Sequence, residues 1–172
     1  MDISSASGAL IISVLRLLHI VAGLIWVGAA IMMSFYIEPA SERSDGDGAR
    51  FLRAFYVNTN YSRMIPVAAV ITTLAGLLLY GMMSYHETMN SAMGVSITLG
   101  ALFGLLAFGH GFSALWRSAG QYGDLVKSGA GNEATLQALE EKLRRNGRIS
   151  MWLAVVSLIL MAGARYIGPL FA

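Results

Sequence analysis

Read from charge to charge, the chain divides into long apolar runs separated by polar loops. Residues 17–37 are uninterrupted between Arg16 and Glu38, 64–85 lie between Arg63 and His86, and 88–116 lie between Glu87 and Arg117. A fourth run begins after Arg148 and carries Arg165 sixteen residues beyond Ile149. A helix crossing the hydrocarbon core needs about 20 apolar residues. The first two runs fit directly, and the third is long enough to include a loop before a helix that starts near Met93. The pattern therefore predicts an all-α integral membrane protein, a four-helix transmembrane bundle with helices over about 10–37, 64–85, 94–117 and 148–168. Arg165 then sits at the far interface or snorkels towards it.

The loops orient the bundle. Segment 38–63 holds Arg43, Arg50, Arg53 and Arg63, and segment 117–148 holds Arg117, Lys127, Lys142, Arg144, Arg145 and Arg148, whereas segment 86–93 holds no Lys or Arg. Basic loops stay on the cytoplasmic side, so the reading is a multi-pass protein of the cell's inner (cytoplasmic) membrane with both termini extracytoplasmic. The N-terminus lacks the basic n-region of a cleaved signal, so the first helix reads as retained. Inside the first loop, Phe51, Leu52, Phe55 and Tyr56 recur at helical spacing beside Arg50 and Arg53, which predicts a short helix over about 48–60 lying on the headgroups. In the second, 132–146 reads as a solvated amphipathic helix that extends the fourth span. Glu140 and Glu141 stand four residues before Arg144 and Arg145, and Gly147 ends it. Ser128-Gly129-Ala130-Gly131 before it reads as a hinge.

Composition narrows the chemistry. Hydrophobic residues make up 56% and charged residues 13%, against about 25% charged in a soluble domain. The net charge of +2 comes from loop residues, so it reports orientation and not nucleic-acid binding. With no Cys, disulfides, thiolate zinc sites, iron–sulfur clusters and covalently attached haem are excluded, and any metal or haem must use His, Met or oxygen ligands. There is no nucleophile–base pair, no Gly-rich phosphate loop and no paired intramembrane carboxylate, the acids all falling at interfaces or in loops. That speaks against a hydrolase, an ATPase or a proton pump. Gly100 and Gly104 form a GxxxG pair in the third helix, a mark of close contact within the bundle or in a homodimer.

Three histidines remain as chemistry. A histidine inside a membrane helix reads as functional, with a hydrogen bond to a neighbouring helix as the plainer alternative. His19, three residues past Arg16, is expected about 5 Å below the outer interface, with His86 at that interface and His110 about 10 Å from the inner face. Arg16 shares a face with His19 and, with Arg165 on the same side, could hold a haem propionate. Gly109 and Gly111 flank His110 and leave space for a backbone or a flat ligand. Met82, Met83, His86, Met89 and Met93 cluster in sequence. If the helix continues past Tyr85, Met82, His86, Met89 and Met93 share one face, a donor set that suits Cu(I), although methionine is also common apolar filler.

The first helix, Leu15-Arg16-Leu17-Leu18-His19-Ile20-Val21-Ala22-Gly23-Leu24-Ile25-Trp26-Val27-Gly28, carries a Leu-His, Gly-x-x-Trp-x-Gly pattern. It resembles the membrane domain of bacterial urate oxidases, the copper-resistance CopD proteins and the HemJ-type protoporphyrinogen oxidases. Arg63-Met64-Ile65-Pro66 followed by Thr73-Leu74-Ala75-Gly76-Leu77-Leu78-Leu79-Tyr80 is similar to their second helix. The resemblance implies a helical bundle and a b-type haem, or copper uptake in the CopD case, with His19 as the matching ligand and Trp26 and Gly28 as packing. The segment Ser34-Phe35-Tyr36-Ile37-Glu38-Pro39 departs from the HemJ pattern, which speaks against protoporphyrinogen oxidation.

The sequence thus leads first to a haem b protein passing electrons between a quinone or a protein partner, with His19 as one axial ligand and His110 or His86 as the other. A copper-handling protein using His19, His86, Met82, Met89 and Met93 is second. Third is a cofactor-free subunit of a membrane complex, held by contacts such as Gly100/Gly104.

Overall fold

The computed structural model describes residues 6–82 and 91–167, which are helical apart from short turns. Helix α1 (Ala6–Met32) continues through a π-helical turn at Met33–Ile37 into α2 (Glu38–Glu42), and α3 (Asp45–Asn58) follows. After α4 (Tyr61–Met82), α5 (Ala92–His110) runs through a second π turn at Gly111–Leu115 into α6 (Trp116–Ser128), and α7 (Glu133–Ile167) completes the chain. Four of the resulting rods, Ala6–Glu42, Tyr61–Met82, Ala92–Ser128 and Glu133–Tyr166, are long and apolar enough to cross a membrane. The protein is an all-α, multi-span membrane bundle.

Two rods exceed the lengths expected from the charge pattern. At 37 residues each, Ala6–Glu42 and Ala92–Ser128 measure about 55 Å, against a hydrocarbon core of about 30 Å. They project beyond it. Glu38 and Arg117 interrupt the apolar runs without ending the helices, because a charge marks solvent or a partner, whereas a helix ends where its backbone is capped. The caps lie elsewhere. Ser91 is extended and its hydroxyl accepts from Gly94 N at 3.0 Å, starting α5. Gly129 takes the left-handed conformation (φ +65°) that closes α6, and Asn132 Oδ1 accepts from Thr135 N at 2.8 Å to open α7. The expected hinge is therefore a capped turn, and α7 passes through Gly147 without a break.

Two antiparallel hairpins make up the bundle, α1 with α4 and α5 with α7, with the most extensive contacts inside each pair. Along α5, Ser96 Oγ donates to Leu160 O and Ser157 Oγ donates to Gly100 O, each at 2.7 Å. Gly100 lies against Met161 and Ser157, and Gly104 against Ser157. The GxxxG face is therefore filled by the chain's own last helix. Between the hairpins sits a small core of Val27, Ala107 and Ala154, with Trp26, Ile31 and Leu153 packed on it. Leu10, Leu24, Leu74, Leu78, Leu102 and Ile159 remain exposed outside it, as lipid-facing side chains do.

The two loops rich in Lys and Arg gather at one end of the bundle, called here the basic end. Tyr122, Leu136 and Leu143 form a second core there. Helix α3 is tied to α6 and α7. Tyr56 stacks edge-on against Tyr122 with ring centres 6.0 Å apart, and Arg53 pairs with both Glu133 and Glu140. Glu140 also accepts from Tyr122 Oη at 2.7 Å, and Arg144 reaches Glu42. Glu140 and Arg144 thus find partners on other helices and not one another, because α3 and α6 cover the face of α7 that a lone helix would leave to water.

Candidate functional site

His19 joins the two helices of the first hairpin. Its Nδ1 lies 2.7 Å from the carbonyl oxygen of Thr72 and 3.3 Å from the Thr72 hydroxyl, which itself donates to His19 O at 2.7 Å. A carbonyl only accepts, so Nδ1 is the donor, and in the neutral ring Nε2 then keeps its lone pair. Gly76 makes room for the ring, since a Cβ at Gly76 would come within 2.7 Å of His19 Cε1 and 2.8 Å of Nδ1. The imidazole is half-buried. Helix α1 begins at Ala6, ten residues before Arg16, and Thr72 lies near the middle of Tyr61–Met82, so His19 is near mid-height of the bundle. Arg16 stands one turn from His19 on a helix that continues beyond it.

His110 belongs to the other hairpin, where Nδ1 is 2.9 Å from Ser150 Oγ. Val27 of α1 and Ala107 of α5 belong to one buried cluster with Ala154 of α7, which places them at similar height in the bundle. His19 is eight residues before Val27 and His110 three after Ala107, which separates the two histidines by about 16 Å along the bundle axis. Metal–imidazole bonds are about 2 Å long. His19 and His110 are therefore not brought together around one metal. His86, Met83 and Met89 lie outside the described residues. Met82 ends α4, and Met93 follows the extended Ser91 on α5, so these two do not share a face of one continuous helix. Arg165 is exposed near the end of α7, beyond the Ser96–Leu160 contact and away from the basic end, on the side of Arg16. Among the described residues no group of three or more His, Cys, Asp or Glu is placed to hold a metal ion.

A site that the sequence did not indicate opens at the basic end. Between the hairpins lies a cavity of about 560 Å³ whose walls include Trp26, Met33, Ser34, Glu38, Tyr56, Tyr61, Phe112, Trp116, Tyr122 and Ser150. Both π turns border it, through Met33 and Ser34 on one side and Gly111, Phe112 and Leu115 on the other. Such turns re-aim side chains and recur at functional sites. Glu38 was placed among the interfacial acids, yet it is 7% exposed. Its Oε2 has Arg148 Nε 3.9 Å away and makes no hydrogen bond among the described residues. A smaller cavity of about 160 Å³ adjoins Glu38, Tyr56 and Glu140. Burial raises the Tyr56 phenol well above its ordinary range, keeping it neutral. The available signal was Glu38 followed by Pro39 at the foot of an apolar run, with Arg144 and Arg148 one turn apart on the fourth helix.

No protein-family model, no curated protein and no solved structure matches this chain.

Proposed function

We propose that this chain is an inner-membrane protein that binds a b-type haem through His19 and serves in electron transfer, with its basic end in the cytoplasm and both termini on the opposite side. The observation that supports this most is the hydrogen bond from His19 Nδ1 to the Thr72 carbonyl. Metal-ligating histidines nearly always donate their other ring N–H to a carbonyl or carboxylate, which fixes the tautomer and the ring orientation. His19 has that arrangement, and Gly76 supplies the clearance.

Within this reading each residue has a defined part. Thr72 holds the ring, His19 Nε2 would be the iron ligand, and Arg16 and Arg165, on the side away from the basic end, would face the propionates. The haem, when bound, supplies one-electron exchange. The axial separation from His19 speaks against His110 as its second ligand, and His86, the other candidate, lies outside the described residues. The test is a reduced-minus-oxidised absorption spectrum of the purified protein together with iron and copper analysis. A Soret shift with iron near one per chain is expected. Copper at that level without haem would replace this reading with copper handling, and neither metal would leave a cofactor-free subunit.

A further inference from the structure

The basic-end cavity is lined by hydrogen-bond donors that the protein itself leaves unused. Ser34 is 8% exposed and, like the half-buried Tyr56 and Tyr61, lines the cavity with a hydroxyl that makes no hydrogen bond among the described residues. Among those residues the only sealed side-chain polar atom lacking a partner is Glu38 Oε2, so these three hydroxyls open onto accessible space. Buried polar groups are nearly always paired, and unpaired donors around one space favour a molecule that brings acceptors. Tyr56 and Tyr61 stand together, their ring centres 5.8 Å apart, and Arg63 follows Tyr61 by two residues. Trp26 and the pair Phe112 and Trp116, 5.5 Å between ring centres, belong to the same walls, which suits a planar aromatic group. The volume of about 560 Å³ falls inside the usual range for small-molecule sites, about 300–1,000 Å³.

Charge and access decide the kind of molecule. Glu38 is answered by Arg148, which leaves Arg63 and Lys127 against Asp124 among the lining residues, a surplus of one positive charge. Asn58, Asn60, Ser62, Arg63, Asp124 and Lys127 are all exposed, so the mouth of the cavity is polar and suits a solute arriving from water at the basic end. We propose that this cavity binds a water-soluble, planar aromatic monocarboxylate, whose two carboxylate oxygens accept from the Tyr56 and Tyr61 hydroxyls beside Arg63, while its ring lies among Trp26, Phe112 and Trp116 and Ser34 donates to an oxygen carried on that ring. A cation would face the surplus positive charge, and a plain hydrocarbon would leave the hydroxyls unpaired. Nothing in this site depends on His19.

Two of the three tryptophans, Trp26 and Trp116, line the cavity, so binding can be read by intrinsic fluorescence of the purified protein in a neutral detergent. The probe is 6-methoxy-2-naphthoate, with its methyl ester as the uncharged analogue and protein-free detergent as the blank. Saturable quenching by the acid is expected, at least about tenfold tighter than by the ester, the fold-change that corresponds to one hydrogen bond to a charged group. Tyr56→Phe/Tyr61→Phe keeps the rings and removes only the hydroxyls, and should weaken the acid by at least about tenfold; Ser34→Ala should weaken it by about threefold, as loss of a neutral hydrogen bond does. Because the acid–ester comparison is made on the unaltered protein, it stands even if a variant fails to fold. Equal affinity for acid and ester, or acid binding unchanged in either folded variant, would overturn the proposal. The readout needs no haem, so its failure and that of the His19 reading are separate results.

Discussion

Gly76 is the position at which a single methyl group is felt directly by His19. An added Cβ would stand 2.7 Å from Cε1, closer than two such carbons pack, so the ring must leave its bond to the Thr72 carbonyl. Gly76→Ala should therefore lower stability by about 1–3 kcal/mol, as over-packing does, and reduce haem retained on purification. Gly81→Ala on the same helix, with nothing within 4 Å, should melt as the wild type does. Thermal unfolding in detergent followed by circular dichroism compares the two. That His19 would bond to a neighbouring helix was legible in the sequence, because an imidazole in an apolar run is expensive unless it finds a partner.

At the scale of elements, α5 and α7 make the most extensive helix contact among the described residues, with Ser157 Oγ bonded to Gly100 O and Met161 over the same glycine. A Cβ at Gly100 would meet Met161 Cγ at 2.7 Å and the Ser157 carbonyl oxygen at 3.2 Å. The methionine can swing away, but the backbone oxygen cannot without moving a helix. Gly100→Ala should thus destabilise the fold, whereas Gly109→Ala, with open space at Cβ, should not. Light scattering after size exclusion should give the same mass for wild type and Gly100→Ala, since this face is filled within the chain. A loss of dimer in the variant would instead place Gly100 at a subunit interface. The GxxxG signal was readable, but its occupant was not, because small-residue spacing looks the same whichever helix fills it. The π turns left no mark in the apolar pattern, and with them went any view of the cavity they border.

For the whole molecule, hydropathy revealed the four spans, since lipid demands long apolar helices with every backbone group satisfied internally. It could not reveal Glu38, whose burial depends on how two hairpins and α3 meet, nor that Glu140 answers Arg53 and Tyr122 from across the basic end. The proposed orientation rests on ten Lys and Arg in 38–63 and 117–148 and none in 86–93. A reporter joined at Ser128 should be cytoplasmic and one joined after Ala172 extracytoplasmic. The reverse result would turn the bundle over without changing its packing. The account as a whole turns on His19, and the most direct measurement is the Soret absorbance of His19→Ala beside that of His110→Ala, both purified from membranes at equal protein. A b-type haem has no covalent tether and depends on its ligands. The account predicts that His19→Ala loses the band while His110→Ala, about 16 Å away along the bundle axis, keeps it; a full Soret band in His19→Ala would contradict it.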